Sequence, residues 1–260
     1  MDRLTEIRQG IFVATGNLYV TNSTVVSDGR GGCLVIDPAV TVAEVASLAT
    51  DLSSMSLQPQ CGFATHPHWD HVLWIPELGD VPRFASALTV AFAERERERL
   101  IKGVETSAPG HDLELFGKLT PLEQPDEIQW TGPTASVITH QGHAPGHSAV
   151  FLPDSGTLIA GDMCSDIEFP LLDLQQPDPV GDYLAALDLF VALPVDLVVP
   201  GHGGLGDGAD FRRRIELDRA YLEGLLRGPE LRDPRPVADW LIAEHERQVA
   251  WVRNATPGGS

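Results

Sequence analysis

The stretch CGFATHPHWDHV, residues 61–72, passes from a short apolar run into His66, His68, Asp70 and His71, three imidazoles and a carboxylate within six positions. Such groups are costly to bury without partners, and a turn needs none of them, so their crowding points to a task other than packing. His66 and His68 lie two apart and face the same way in an extended segment, where they can grip one ion. Asp70 and His71, read as the start of the next helix, turn toward a neighbouring position.

Working outward, four other places repeat the same grammar of a short apolar strand followed by a metal-capable side chain. They are Asp37 after CLVI, His143 or His147 after ASVIT, Asp162 after TLIAG, and His202 after DLVVPG. Strand ends share a rim of a sheet, and loops there aim side chains at a common point while buried strands hold them still. Counting His66, His68 and one of His143 or His147 gives three nitrogen ligands for a first ion. Asp70, His71 and His202 supply a second, and Asp162 offers two oxygens to bridge them. Imidazoles and carboxylates without a thiolate suit two zinc ions, with iron or manganese also admissible. Taken singly, His202 or Asp162 is most simply a cap or turn residue. Asp37, before Pro38, reads as a turn residue or as a carboxylate that orients a ligand histidine.

The surrounding pattern is α/β. Residues 11–26 read as paired strands, CLVID as a strand, VAEVASLATDL as a helix, AFAERERERL as an exposed charged helix, and 103–127 as loop able to lie over a pocket. IQW, ASVITH, SAVFLP and TLIAG follow as strands. YLAALDLFVAL, FRRRIELDRAYLEGLLR and VADWLIAEHERQVAWV follow as helices, with DLVVPG a strand between the first two. At 260 residues with 43% hydrophobic side chains, the chain has enough apolar mass for a sizeable core. It is read as one domain over residues 1–255, with a core at about 11–205, C-terminal helices over 209–253 and a disordered tail at 256–260. A net charge of −19, from 37 acidic against 18 basic residues, disfavours nucleic acid and an anionic membrane surface as partners. With no apolar leader at MDRLTEIRQG and three scattered cysteines, a cytoplasmic setting with reduced thiols is expected.

The segment His66-Pro-His68-Trp-Asp70-His71 resembles the HxHxDH motif of the metallo-β-lactamase superfamily, and the other strand-end sites resemble that family's remaining motifs in order over roughly residues 11–205. The resemblance implies an αββα sandwich with a dinuclear site at the strand edges. It also implies His143 as the third ligand of the first ion, because GHAPGH is similar to the family's GHTPGH segment, whose first histidine binds metal. His147 then packs behind it, and His111, His140 and His245 are read as surface or pocket-edge residues.

Two ions sharing a water lower its pKa from about 15.7 to about 7. The expected reaction is therefore attack by metal-bound hydroxide on the carbonyl of a small-molecule ester, thioester, lactone or amide, with Asp70 as the candidate catalytic residue that also orients the water. A homodimer is an admissible assembly. The tyrosine that lactonase relatives carry after the bridging aspartate has no counterpart in MCSD. Arg212, Arg213 and Arg214 fan around a helix and are read as a solvated face rather than the basic site of glyoxalase II relatives. A mononuclear iron dioxygenase of the persulfide type shares the fold and much of the motif set, and a non-catalytic binding protein can use the same scaffold; retention of all seven candidate ligands favours the two-metal hydrolase.

Overall fold

In GCLVI alternate side chains go to opposite faces, as a pleated strand requires. Leu34 and Ile36 pack with Val13, Val26, Phe63 and with Val150 and Val199 of a second sheet, whereas Cys33 and Val35 pack with Val45, Leu48 and Leu52 of a helix. The same alternation runs through SAVFL, where Val150 and Leu152 face the first sheet and Ala149 and Phe151 face helices. Two sheets buried on both faces need helices outside, which accounts for strands that read as continuous apolar runs.

The computed structural model describes residues 1–228, 230, 233–235 and 238–255. Its first sheet holds β1 (Thr5–Arg8), β2 (Ile11–Thr15), β3 (Asn22–Ser27), β4 (Gly32–Ile36), β5 (Gln58–Phe63), β6 (Arg83–Ala85) and β7 (Thr120–Pro121) in sequential order. β1 to β4 pair antiparallel and β4 to β7 parallel. The second sheet holds β8 (Ser136–Thr139), β9 (Ser148–Leu152), β10 (Thr157–Gly161), β11 (Leu197–Pro200) and β12 (Gly206–Asp207), ordered β12-β11-β10-β9-β8, with β10 and β11 parallel. Helices α1 (Val42–Ser54), α2 (Ala87–Arg95) and α3 (Arg97–Ser107) cover the first sheet, and α4 (Pro179–Val191), α5 (Gly208–Arg227) and α6 (Asp239–Ala255) cover the second. The result is the αββα sandwich. Each large apolar side chain buried between its layers contributes about 1.5–3 kcal/mol.

Several local expectations change. Asp70 and His71 begin no helix; they sit in a turn closed by the His71 N–H to the His68 carbonyl at 3.1 Å. AFAERERERL is split at Glu96 between α2 and α3; it buries Ala93 and Leu100 against the first sheet, and Phe92 beneath Arg95 and Arg99. The expected loop from 103 begins as the last turns of α3 and ends as β7 on the sheet edge, with Phe116 only 1% exposed beside it. IQW makes no strand, because the Trp130 indole N–H donates to the Pro133 carbonyl at 3.0 Å and turns the chain. Among the described residues no helix is long and apolar enough to cross a membrane. The expected tail at 256–260 lies outside the described residues.

Candidate metal centre

Asp37 follows β4, His66 follows β5, His143 lies in the β8–β9 connection, Asp162 follows β10 and His202 follows β11, so five loops meet at one rim. There the side chains form two groups. His66, His68, His143 and Asp162 make the first, and Asp70, His71 and His202 the second, with the ligand atoms of each group within 4.8 Å of one another. In the first, His68 Nδ1 lies 3.0 Å from both His66 Nε2 and His143 Nε2. In the second, His71 Nε2 lies 3.3 Å from His202 Nε2. Asp162 spans them: Oδ2 is 3.4 Å from His66 Nε2, 3.5 Å from His143 Nε2 and 3.3 Å from His202 Nε2, while Oδ1 is 3.2 Å from His71 Nε2. Asp70 Oδ2 is 3.4 Å from His202 Nε2 and 3.7 Å from His71 Nε2.

The outer hydrogen bonds assign the ring protons. The Thr65 hydroxyl gives its one proton to Asp37 Oδ2 at 2.6 Å, so at 3.0 Å it accepts from His66 Nδ1–H. His71 Nδ1–H donates to Asp37 Oδ2 at 3.0 Å, His143 Nδ1–H to the Leu171 carbonyl at 2.9 Å, and His202 Nδ1–H to the Tyr19 carbonyl at 3.0 Å. Each of these four rings therefore turns its Nε2 inward. Four Nε2 atoms crowd one small space, and the buried Asp162 Oδ1 there has no hydrogen-bond partner of its own. Nitrogen and oxygen donors with this orphaned oxygen fit divalent cations between them.

The electrostatics of the two groups differ. Burial drives His66 well below its ordinary value, with the His71 charge adding to it, and likewise lowers His68 and brings His143 to about 4. For His71 and His202 burial opposes charge too, but it is outweighed by Asp162 foremost, joined by Asp70 and Asp37 around His71 and by Asp70 and Glu168 around His202. Both rings are held well above the ordinary value. Burial would raise Asp70 and Asp162, yet the imidazoles beside them keep both carboxylates far below their usual range.

All seven predicted side chains come to this point. His143 enters the first group, whereas His147 stacks on His66 with ring centroids 4.9 Å apart and accepts the Asp162 backbone N–H on Nε2 at 3.1 Å. Close approach there requires Gly161, in the left-handed region at φ 57°, since a Cβ would stand 2.5 Å from that nitrogen. Asp37 is the carboxylate that orients His71. His111, His140 and His245, read as surface or pocket-edge residues, are not on the surface, for they are 8%, 7% and 5% exposed. Their ring nitrogens meet the Val40 carbonyl, His147 and the Tyr221 hydroxyl respectively.

Other residues at the rim escaped the sequence reading. Tyr19 and Val20 both adopt the left-handed region, at φ 57° and 54°, a strain of about 1–3 kcal/mol per residue that clusters at functional sites. It turns the Tyr19 carbonyl to His202 Nδ1 and lets the Val20 carbonyl accept the Gly203 N–H at 3.0 Å. The exposed Tyr19 ring stands edge-on to both Trp69 and His202, 6.2 Å from each. Glu168 is buried on the segment that runs from Ser165, which donates to the His202 carbonyl, to Leu171, which accepts from His143. Burial pushes its carboxyl up to about 7. The two left-handed residues lack the glycine or asparagine that usually signals them, and an isolated glutamate carries no spacing, so neither stood out.

Residues 16–202 match the family model of the metallo-beta-lactamase superfamily. A hydroxyacylglutathione hydrolase from Ruegeria pomeroyi is 27% identical over 224 residues, covering 84% of this chain and 78% of the relative. The crystal structure of a beta-lactamase domain protein from Burkholderia ambifaria superposes with a TM-score of 0.69 at 18% identity, over 95% of this chain and 86% of that one. A metallo-beta-lactamase family protein from Thermus thermophilus gives 0.65 at 21% identity, over 95% and 91%. At those identities the two solved structures speak for the fold alone.

Proposed function

The chain belongs to the metallo-beta-lactamase superfamily and is a metal-dependent hydrolase, and from that premise we propose that it cleaves a small-molecule ester, thioester, lactone or amide at a dinuclear centre. The observation that carries this reading is the Asp162 carboxylate, within 3.2–3.5 Å of imidazole nitrogens from both groups. A thioester is the substrate favoured by the Ruegeria relative, whose name gives hydroxyacylglutathione as what it hydrolyses. We assign His66, His68 and His143 to one ion, Asp70, His71 and His202 to the other, and Asp162 to both. Zinc is the ion this donor set fits best, and iron or manganese remain chemically compatible. We further take residues 1–255 as one domain working in the cytoplasm, in keeping with three buried free thiols.

Bound cations would supply Lewis acidity for a carbonyl oxygen and a water made acidic enough to lose its proton near neutral pH. The chain's own residues then do the rest. Asp70, kept ionised by His71 and His202, is an acceptor that orients the attacking water rather than a proton store. Glu168, buried on the segment between Ser165 and Leu171 with its carboxyl pushed up to about 7 by burial, is a second carboxyl able to hold a proton beside the centre. Tyr19 and Trp69, edge-on to one another at the rim, offer an acyl group an aromatic face.

Elemental analysis of freshly purified protein, followed by a panel of thioesters, lactones and β-lactams on the same sample, tests this. Close to two zinc per chain and turnover of one panel class is the expected result. One iron with oxygen uptake would replace hydrolysis by oxidation, and two metals with no turnover across the panel would leave a binding protein.

A further inference from the structure

Behind the centre lies a buried guanidinium where a solvated helix face is expected. Arg214 is 2% exposed on α5. Its Nη1 donates to the carbonyls of Cys164 at 3.1 Å and Gly204 at 2.8 Å, and its Nη2 to that of Leu205 at 3.2 Å. Cys164 comes two residues after Asp162, and Gly204 two residues after His202. A single planar side chain thus joins the loop of the shared carboxylate to the loop of a second-group imidazole.

Stability alone does not explain Arg214. Its nearest carboxylate oxygen, on Asp166, is 3.9 Å away, and its buried Nε has no hydrogen-bond partner. An incompletely paired buried cation costs several kcal/mol, and an apolar side chain of similar volume is often no worse for stability. What an apolar replacement lacks is the fork of fixed donors that reaches three carbonyls at once. The loops it grips also need gripping. Cys164 is left-handed at φ 58°, unfavourable for a residue with a Cβ, and it turns the chain just after Asp162. Asp218, one turn along α5 and so on the same face, receives Arg235 Nη1 at 2.6 Å, and that Nη1 also reaches the Ser165 carbonyl at 3.3 Å. Two shorter links, the Ser165 hydroxyl to the His202 carbonyl at 2.8 Å and the Gly204 N–H to Asp166 Oδ1 at 2.7 Å, run between the same loops.

We propose that Arg214 is a positioning residue of the metal centre: by fixing Gly204 and Leu205 against Cys164 it holds the His202 loop in place, and so sets the fit of the second ion, of which His202 is a ligand and to which the first ion's three imidazoles do not belong. The inference rests on reading those side chains as metal ligands. It concerns the grip on one ion of two, whereas a residue that merely stabilised the fold would weaken both alike.

The test is competition for Zn²⁺ between a colorimetric chelator and the full-length chain, as wild type, Arg214→Met, Arg214→Lys and Arg213→Met, with circular dichroism on each. Wild type is expected to hold two equivalents. Arg214→Met should release one of them about 10–100-fold more readily, the range for loss of a group that supports a ligand, and keep the other. Arg214→Lys should recover part of the loss, and Arg213→Met, on the exposed side of the same helix, should match wild type. A folded Arg214→Met variant that holds both equivalents as wild type does, or loses both equally, overturns the proposal. If that variant does not fold, the lysine variant decides by the same criterion. Should wild type itself take up no zinc, the reading of the centre falls, and this inference falls with it. A centre that holds two ions equally well in every variant defeats the inference alone.

Discussion

The two groups of candidate ligands lie on either side of one carboxylate and treat protons in opposite ways. In the first, burial and neighbouring imidazoles strip charge from His66, His68 and His143, so three neutral rings line it. In the second, Asp162, Asp70 and Asp37 surround His71 with negative charge, and His71 and His202 are raised well above their ordinary value. The first group is therefore shaped for a cation with no proton to displace. The second has the stronger field for a cation and the stronger competitor for the place. Position in the fold produces the difference, since the carboxylates arrive from β4, β10 and the turn after β5, all beside the second group.

Asp162→Ala attacks the comparison at its hinge. Both groups lose the oxygen they share, and His71 and His202 lose the largest source of their raised proton affinity. Hydrolysis should fall by about 10³-fold or more, equivalent to about 4 kcal/mol of barrier, and zinc content should drop below two per chain. Full activity with two zinc ions in this variant would falsify the shared role. A narrower cut is Asp37→Asn, at a left-handed position, φ 47°, that asparagine tolerates. The carboxylate accepts from Thr65 and from His71 Nδ1–H, so an amide must turn a donor toward one of them. The second equivalent should weaken about 10–100-fold while the first stays. Chelator competition that finds equal weakening of the two would erase the distinction between the groups.

How much of this was legible in the sequence depends on the range of the interaction. HPHWDH and the four other strand ends could be read because ligand spacing and short apolar runs are local, and Asp37 could be named as an orienting carboxylate. The choice of His143 over His147 came from resemblance alone, and the reason behind it, His147 holding the Asp162 amide, is a contact between residues 15 apart. Arg214 was lost among three consecutive arginines, because which of them points inward depends on how α5 docks. The strands β1, β6 and β7 are short and lie on or toward a sheet edge, where little periodicity accumulates. Tyr19 and Val20 take a backbone shape that their own types disfavour, imposed by the loop carrying His202.

A pH series sharpens the contrast without altering a residue. His71 and His202 are held above their ordinary value, so a metal competes with protons there, whereas burial keeps His66, His68 and His143 low. Affinity for the second equivalent should rise the more with pH, by up to about tenfold per unit for each proton displaced. The first should be nearly flat. Zinc competition at a few pH values, with the equivalents resolved, reads both slopes, and parallel slopes would contradict the electrostatic division.

The smallest effect concerns the support behind the first group and needs no metal. His140 lies against His147 at 3.1 Å and is lowered from 6.5 to about 3 by burial, with the charge of His143 adding to it. Above pH 6.5 the ring is neutral in the folded and unfolded chain alike, and its contribution to stability is complete. As pH falls below that value the unfolded chain takes up a proton that the folded ring refuses until about 3, so stability is lost across this window. One proton corresponds to about 1.4 kcal/mol per pH unit, hence about 2 kcal/mol between pH 6.5 and 5. In His140→Gln the decline should be shallower by that amount, even though the variant starts from lower stability at pH 7 for want of the ring's packing. Urea unfolding of metal-free wild type and variant at pH 7 and 5 measures the difference of differences. Identical declines would mean that the rings behind the first group accept protons as readily as those of the second.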